Sequence, residues 1–197
     1  IEARRRKRVL CDIFEALEQG RHAEAAKICL RRYHARESYW LFCARLASEL
    51  LLKLDRQAEA RQIYETVANE KNIPWARLGV GRAQFAAGEV TPARRTVEAL
   101  LRDNPEHADG YDVLGRLQVD QGEFSNALMT YRTAAQLTPG CMLRLQHCGT
   151  LAFYEGERDE AIGMLDRVVA MGLKSKLFDA LTLMLLALLR HDTADTK

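Results

Sequence analysis

The sequence lacks the marks of most chemistries. Its longest apolar run, ALTLMLLALL at residues 180–189, is too short to cross a bilayer as a helix, so no membrane insertion is expected. Five cysteines are present, an odd number, and none form a Cys-x-x-Cys pair. A disulfide framework is not expected, and a reducing, cytoplasmic setting fits better. There is no glycine-rich phosphate loop, no His-Glu-x-x-His and no nucleophile elbow. The five histidines are scattered, and carboxylates such as Glu155, Glu157, Asp159 and Glu160 fall at the spacing of a solvated helix face. No catalytic residue, cofactor or metal is therefore expected, and the chain is not read as an enzyme.

Strong net charge is also missing. A balance of +2 gives no global field that would favour nucleic acid or a membrane surface. The charge is uneven, with ten Lys/Arg against six Asp/Glu in residues 1–40 and 19 against 21 in the remainder. The run RRRKR at residues 4–8 could hold phosphate. It has no interleaved aromatics and reads more simply as the solvated start of a helix.

What the chain does have is a period. Gly88, Gly122 and Gly156 are 34 residues apart, as are Gly81, Gly115 and Gly149, and Ala93, Ala127 and Ala161. Pro105 and Pro139 repeat at the same distance. A fixed period of this size marks a stacked repeat whose units cannot bury their apolar faces alone. The unit at residues 108–141 has Tyr111 at position 4, Gly115 at 8, Gly122 at 15, Ala127 at 20, Tyr131 at 24, Ala134 at 27 and Pro139 at 32. This pattern resembles the tetratricopeptide repeat (TPR), a pair of antiparallel helices. Small residues at positions 8 and 20 let the two backbones approach. A glycine near position 15 stops the first helix in the left-handed conformation. A proline at position 32 closes the second.

The resemblance implies an all-α solenoid of about five TPR helix pairs in a right-handed superhelix. The units fall at residues 6–40, 41–73, 74–107, 108–141 and 142–175. A capping helix follows at 176–190 and a flexible tail at 191–197, so residues 1–190 read as one array. In the first two units Ile13 and Ser48 stand where the pattern wants glycine. Cys29 and Cys148 fall at core positions and are expected to be buried.

In TPR proteins the first helix of each unit lines a concave groove. Carried onto this chain, the resemblance places Arg45, Trp75, Arg82, Phe85, Asp112, Arg116 and Phe153 in a partner-binding groove for a protein or peptide. Trp75 reads equally well as packing between units. On a helical wheel Leu177, Leu181, Met184, Leu185 and Leu188 share one face of the last helix, which should seal the final unit. Leu183 and Leu186 then remain outward, as a self-association face for a homodimer. The stretches IPWARLGVGRAQFAAGE (residues 73–89) and MGLKSKLFD (residues 171–179) resemble the TPR half of bacterial receiver-TPR response regulators. That resemblance implies the output domain of a two-component system, a scaffold in signal transduction. The alternatives are an assembly factor for pilus or secretion machinery and an RNA-binding module that uses the basic first unit.

Overall fold

The computed structural model describes residues 2–175 and 180–194; side chains are described from Leu10 to Lys174 and from Ala180 to Arg190. The described residues form eleven helices and no strand. They fall into two compact units, Ile1–Leu100 and Leu101–Lys197. The first contains α1 (Glu2–Glu18), α2 (His22–His34), α3 (Trp40–Lys53), α4 (Gln57–Lys71), α5 (Pro74–Ala86) and most of α6 (Val90–Asp103). The second contains α7 (Ala108–Asp120), α8 (Phe124–Leu137), α9 (Met142–Tyr154), α10 (Arg158–Ser175) and α11 (Ala180–Ala194).

The repeat pattern works through its turns and its small residues. Gly20, Gly88, Gly122 and Gly156 all have φ between 70° and 78°. The N–H that follows each one reaches back to close the helix, for example Glu89 N to Gln84 O at 2.9 Å and Glu123 N to Gln118 O at 2.8 Å. These are Schellman turns. Asp55 (φ 56°) takes the same role where the chain has no glycine, with Arg56 N to Leu51 O at 2.9 Å. Ala60, Ala93, Ala127 and Ala161 are fully buried, and each lets the facing helix approach. Ser48 is buried in place of a glycine. Its hydroxyl donates to Ala44 O at 2.9 Å, so no polar group is stranded.

In the first unit Tyr64 from α4 fills a cleft against Gly79 of α5, where an added Cβ would strike the ring. Tyr33, Leu51, Ile63 and Val67 pack around it. In the second unit Tyr131, Leu145, Leu151 and Leu165 form one core, closed by Leu185, Leu186 and Leu189 of α11. Burying three leucines from this last helix contributes on the order of 1.5–3 kcal/mol each.

The last helix departs from the sequence expectation in two ways. It continues through Ala194, past the expected end at residue 190. Its buried face is Thr182, Leu185, Leu186 and Leu189, whereas Leu181, Met184 and Leu188 from the expected sealing face are exposed. The cause is compositional: a helix that is apolar on nearly every side gives the wheel no contrast by which to orient it. Leu186, expected to face outward, is 4% exposed, and Leu183 is 46% exposed. Leu177 and residues 195–197 of the expected tail lie outside the described residues. So do the side chains of the basic run at residues 4–8, whose backbone belongs to α1.

Candidate functional site

Among the residues expected to line a groove, Arg45 and Trp75 meet in the first unit. Arg45 is exposed on α3. Its Nε donates to Glu49 at 3.3 Å, and its guanidinium lies 5.8 Å from the Trp75 ring centre. Trp75 is half-buried and meets the buried Tyr64 edge-on, with centroids 6.2 Å apart at 69°. The indole thus meets both a buried tyrosine and an exposed cation. Burial raises the Tyr64 phenol pKa, and Glu49 adds to the rise, while Arg82 and Arg45 oppose it. These charges therefore converge on the tyrosine. Arg82 and Phe85 are half-buried on α5. Leu78, on the same helix, is buried.

The second unit is arranged differently. Asp112 on α7 is already engaged by Arg144 of α9, whose Nε donates to both carboxylate oxygens at 2.9 and 3.1 Å and whose Nη2 donates at 2.6 Å. The same Nη2 reaches Asp109 at 2.7 Å, and Nη1 donates to the Thr138 hydroxyl. Arg144 is buried, and the Asp112 carboxylate, then Asp109, hold it firmly protonated. Asp112 is thus part of an ion cluster with Arg144 and Asp109. The Tyr131 hydroxyl donates to the Asp112 carbonyl at 3.4 Å, and its ring lies 4.8 Å from that of His147. Burial pushes Tyr131 up to about 12 and lowers the His147 pKa. Arg116 is exposed. Phe153 is half-buried against the core, with Tyr154 edge-on at 5.5 Å.

Sequence reasoning missed two features. Arg144 carried no periodic signal that it would be a buried hub. The carboxylates read as solvated also do more than face water. Arg61 pairs with Glu65 at 2.7 Å and with Glu89 at 2.9 Å, and Arg132 Nε donates to Glu160 at 2.8 Å while its Nη2 reaches Glu157. Each pair set joins the second helix of one repeat to the next repeat. The signal was available, because Glu89, Glu123 and Glu157 follow the turn glycines at the 34-residue period. A pocket of about 310 Å³ in the first unit is lined by Gln57, Arg61, Gln62, Glu65 and Glu89, with Arg61 held inside that ion cluster. Cys29, Cys43 and Cys148 are buried. No group of three or more His, Cys, Asp or Glu among the described residues could hold a metal ion.

The tetratricopeptide repeat family model matches residues 78–140. The structure is similar to that of PilF of Pseudomonas aeruginosa, with a TM-score of 0.75 at 14% identity over 97% of this chain and 85% of that one. It is also similar to a thermophilic TPR protein of Thermus thermophilus, with a TM-score of 0.71 at 16% identity over 93% and 97%. The fold is therefore all-α and built of TPR helix pairs. In sequence the chain is 24% identical to Superkiller complex protein 3 of Mus musculus over 128 residues, 64% of this chain. It spans 8 to 12% of the length of the curated relatives it matches. No described helix is long and apolar enough to cross a membrane.

Proposed function

We propose that this chain is a non-enzymatic scaffold that docks an extended segment of a partner protein against the first helices of its repeats. One observation carries the reading: Arg45 lies over Trp75, which in turn rests on the buried Tyr64. A pre-positioned pair of a half-buried tryptophan and an exposed arginine is the composition of an interface hot spot. Tyr64, itself seated against Gly79, holds the indole, so little freedom is lost when a partner binds. Arg82 and Phe85 of α5 extend this surface in the first unit, and Arg116 and Phe153 supply surface in the second.

The finer reading is the output domain of a cytoplasmic bacterial response regulator. It is supported by the resemblance at residues 73–89 and 171–179. Reading the gene upstream of the Ile1 codon checks it. A receiver domain with an acidic phosphorylation pocket is expected, and a lipoprotein signal would replace this reading with an envelope assembly factor.

Docking itself is tested by photo-crosslinking. A photoreactive residue at position 45 should capture the partner, and the same residue at position 59, exposed on the second helix α4, should not. Capture from position 59 alone would move the site off the first helices.

A further inference from the structure

Cys29 on α2 and Cys43 on α3 are 0% and 1% exposed and share one packed cluster with Ile13 and Ala47. No part of the groove uses them. The register of the α2–α3 hairpin sets them face to face. Across its turn Arg32 pairs with Glu37 at 2.9 Å, and the rings of Tyr33 and Trp40 lie 6.3 Å apart. Cys29 and Cys43 are equally far from Arg36 on either side. Further along, Ala26 and Leu46 follow the same register and pack in the next cluster. Alanines at positions 25, 26, 44 and 47, all buried, keep this seam narrow. The neighbouring Cys43 thiol and then burial raise the Cys29 pKa. The Cys43 pKa is lowered, first by the Cys29 thiol beside it and then, against the opposing effect of burial, by the Arg32 cation.

We propose that Cys29 and Cys43 are an oxidation site that closes into a reversible disulfide between α2 and α3. The oxidant class is a small disulfide such as oxidised glutathione. Cys43, as thiolate, attacks one glutathione sulfur. The glutathione S–S bond breaks, one glutathione leaves as thiolate, and a mixed disulfide remains on Cys43. Cys29 then gives up its proton, and its sulfur attacks Cys43 Sγ and expels the second glutathione. Two protein thiols are oxidised, one oxidised glutathione is reduced, and the two protein protons end on the two released glutathiones. Both sulfurs are sealed in the closed hairpin, so exchange waits for α2 and α3 to part. The exposed Cys11 and the half-buried Cys141 react first and give adducts. The cross-link closes a short loop around the turn, where Arg36 and Tyr39 hold φ of 50° and 67°. It removes freedom chiefly from the unfolded chain.

The test equilibrates the full chain in oxidised and reduced glutathione and maps its peptides without reduction. The expected result is a linked Cys29–Cys43 peptide pair, two hydrogens lighter than the two peptides taken separately. The melting temperature should rise by about 5–15 °C, reversed by dithiothreitol. A Cys29→Ala plus Cys43→Ala chain should show no such rise, and if that variant does not fold, the peptide map of the wild type decides alone. The proposal is overturned if both cysteines stay reduced while Cys11 is converted. It is also overturned if the linkage forms only after unfolding in urea.

Discussion

Tyr131 occupies the space that the absent Cβ of Gly115 leaves. A Cβ there would stand 2.6 Å from Cε2 of the ring and 2.8 Å from Cζ. Neither side has room to yield, because the ring is fully buried in the core of the second unit and its hydroxyl is tied to the Asp112 carbonyl. Gly115→Leu should therefore force α7 and α8 apart. Overpacking costs about 1–3 kcal/mol, and more when backbones must move. Urea unfolding measures it, and a variant as stable as wild type would refute the close contact.

Much of the fold is legible in the sequence because the period specifies positions. The turn glycines, the buried alanines and the tyrosines at position 24 all stand where the spacing places them. The period does not name partners, which is why Arg144 escapes notice. It stands at position 3 of its unit, a position without a recurring residue type, and its role depends on Asp109 and Asp112 of the preceding unit. Nor does a period orient an element with no polar face, so Leu186 and Leu183 both read as outward. Trp75 stands between packing and binding in the sequence, which does not show that the indole meets both Tyr64 and Arg45.

The Arg144 cluster predicts an asymmetry. Arg144→Ala leaves Asp112 and Asp109 close together and without their cation, and opens a gap in a buried site. Breaking such a pair typically costs about 3 kcal/mol. Asp109→Asn, at the exposed end of the cluster, should cost less than about 1 kcal/mol. Thermal melts of both variants decide the order, and equal losses would mean that Arg144 is not the hub.

His147 predicts a pH dependence. Burial lowers its folded pKa below the ordinary value of 6.5. The unfolded chain then binds the proton more readily, so stability is fully present above pH 6.5 and falls as the pH drops below it. His147→Phe keeps a ring against Tyr131 and removes the titration. Its melting temperature between pH 7.5 and 5.5 should change less than that of wild type, and parallel curves would refute the assignment.

The last helix predicts opposite outcomes at neighbouring positions. Leu186→Glu buries a carboxylate with no partner among Leu145, Leu165 and Leu189 and should detach α11 or cost more than about 3 kcal/mol. Leu183→Glu, on the exposed side, should stay within about 0.5 kcal/mol. A homodimer through this helix would then depend on Leu183 and not on Leu186, and light scattering on the Leu183→Glu chain reads that directly.

Arg45 offers the cleanest test of docking, because it can be removed without disturbing the core. Its side chain is half exposed, and its bond to Glu49 at 3.3 Å is a surface pair within one helix, worth about 0.3–0.5 kcal/mol. Arg45→Ala should leave the melting temperature almost unchanged and weaken partner binding by about tenfold or more if the Trp75 stack is part of the hot spot. Trp75→Ala should do both, because it also strips one edge of Tyr64; its loss of binding is interpretable only beside its loss of stability. Trp75→Phe with Arg82→Ala keeps an aromatic on Tyr64 while removing a second cation near the same point. Full affinity in both Arg45→Ala and this double variant, with folds intact, would place the partner elsewhere than on the first unit's groove.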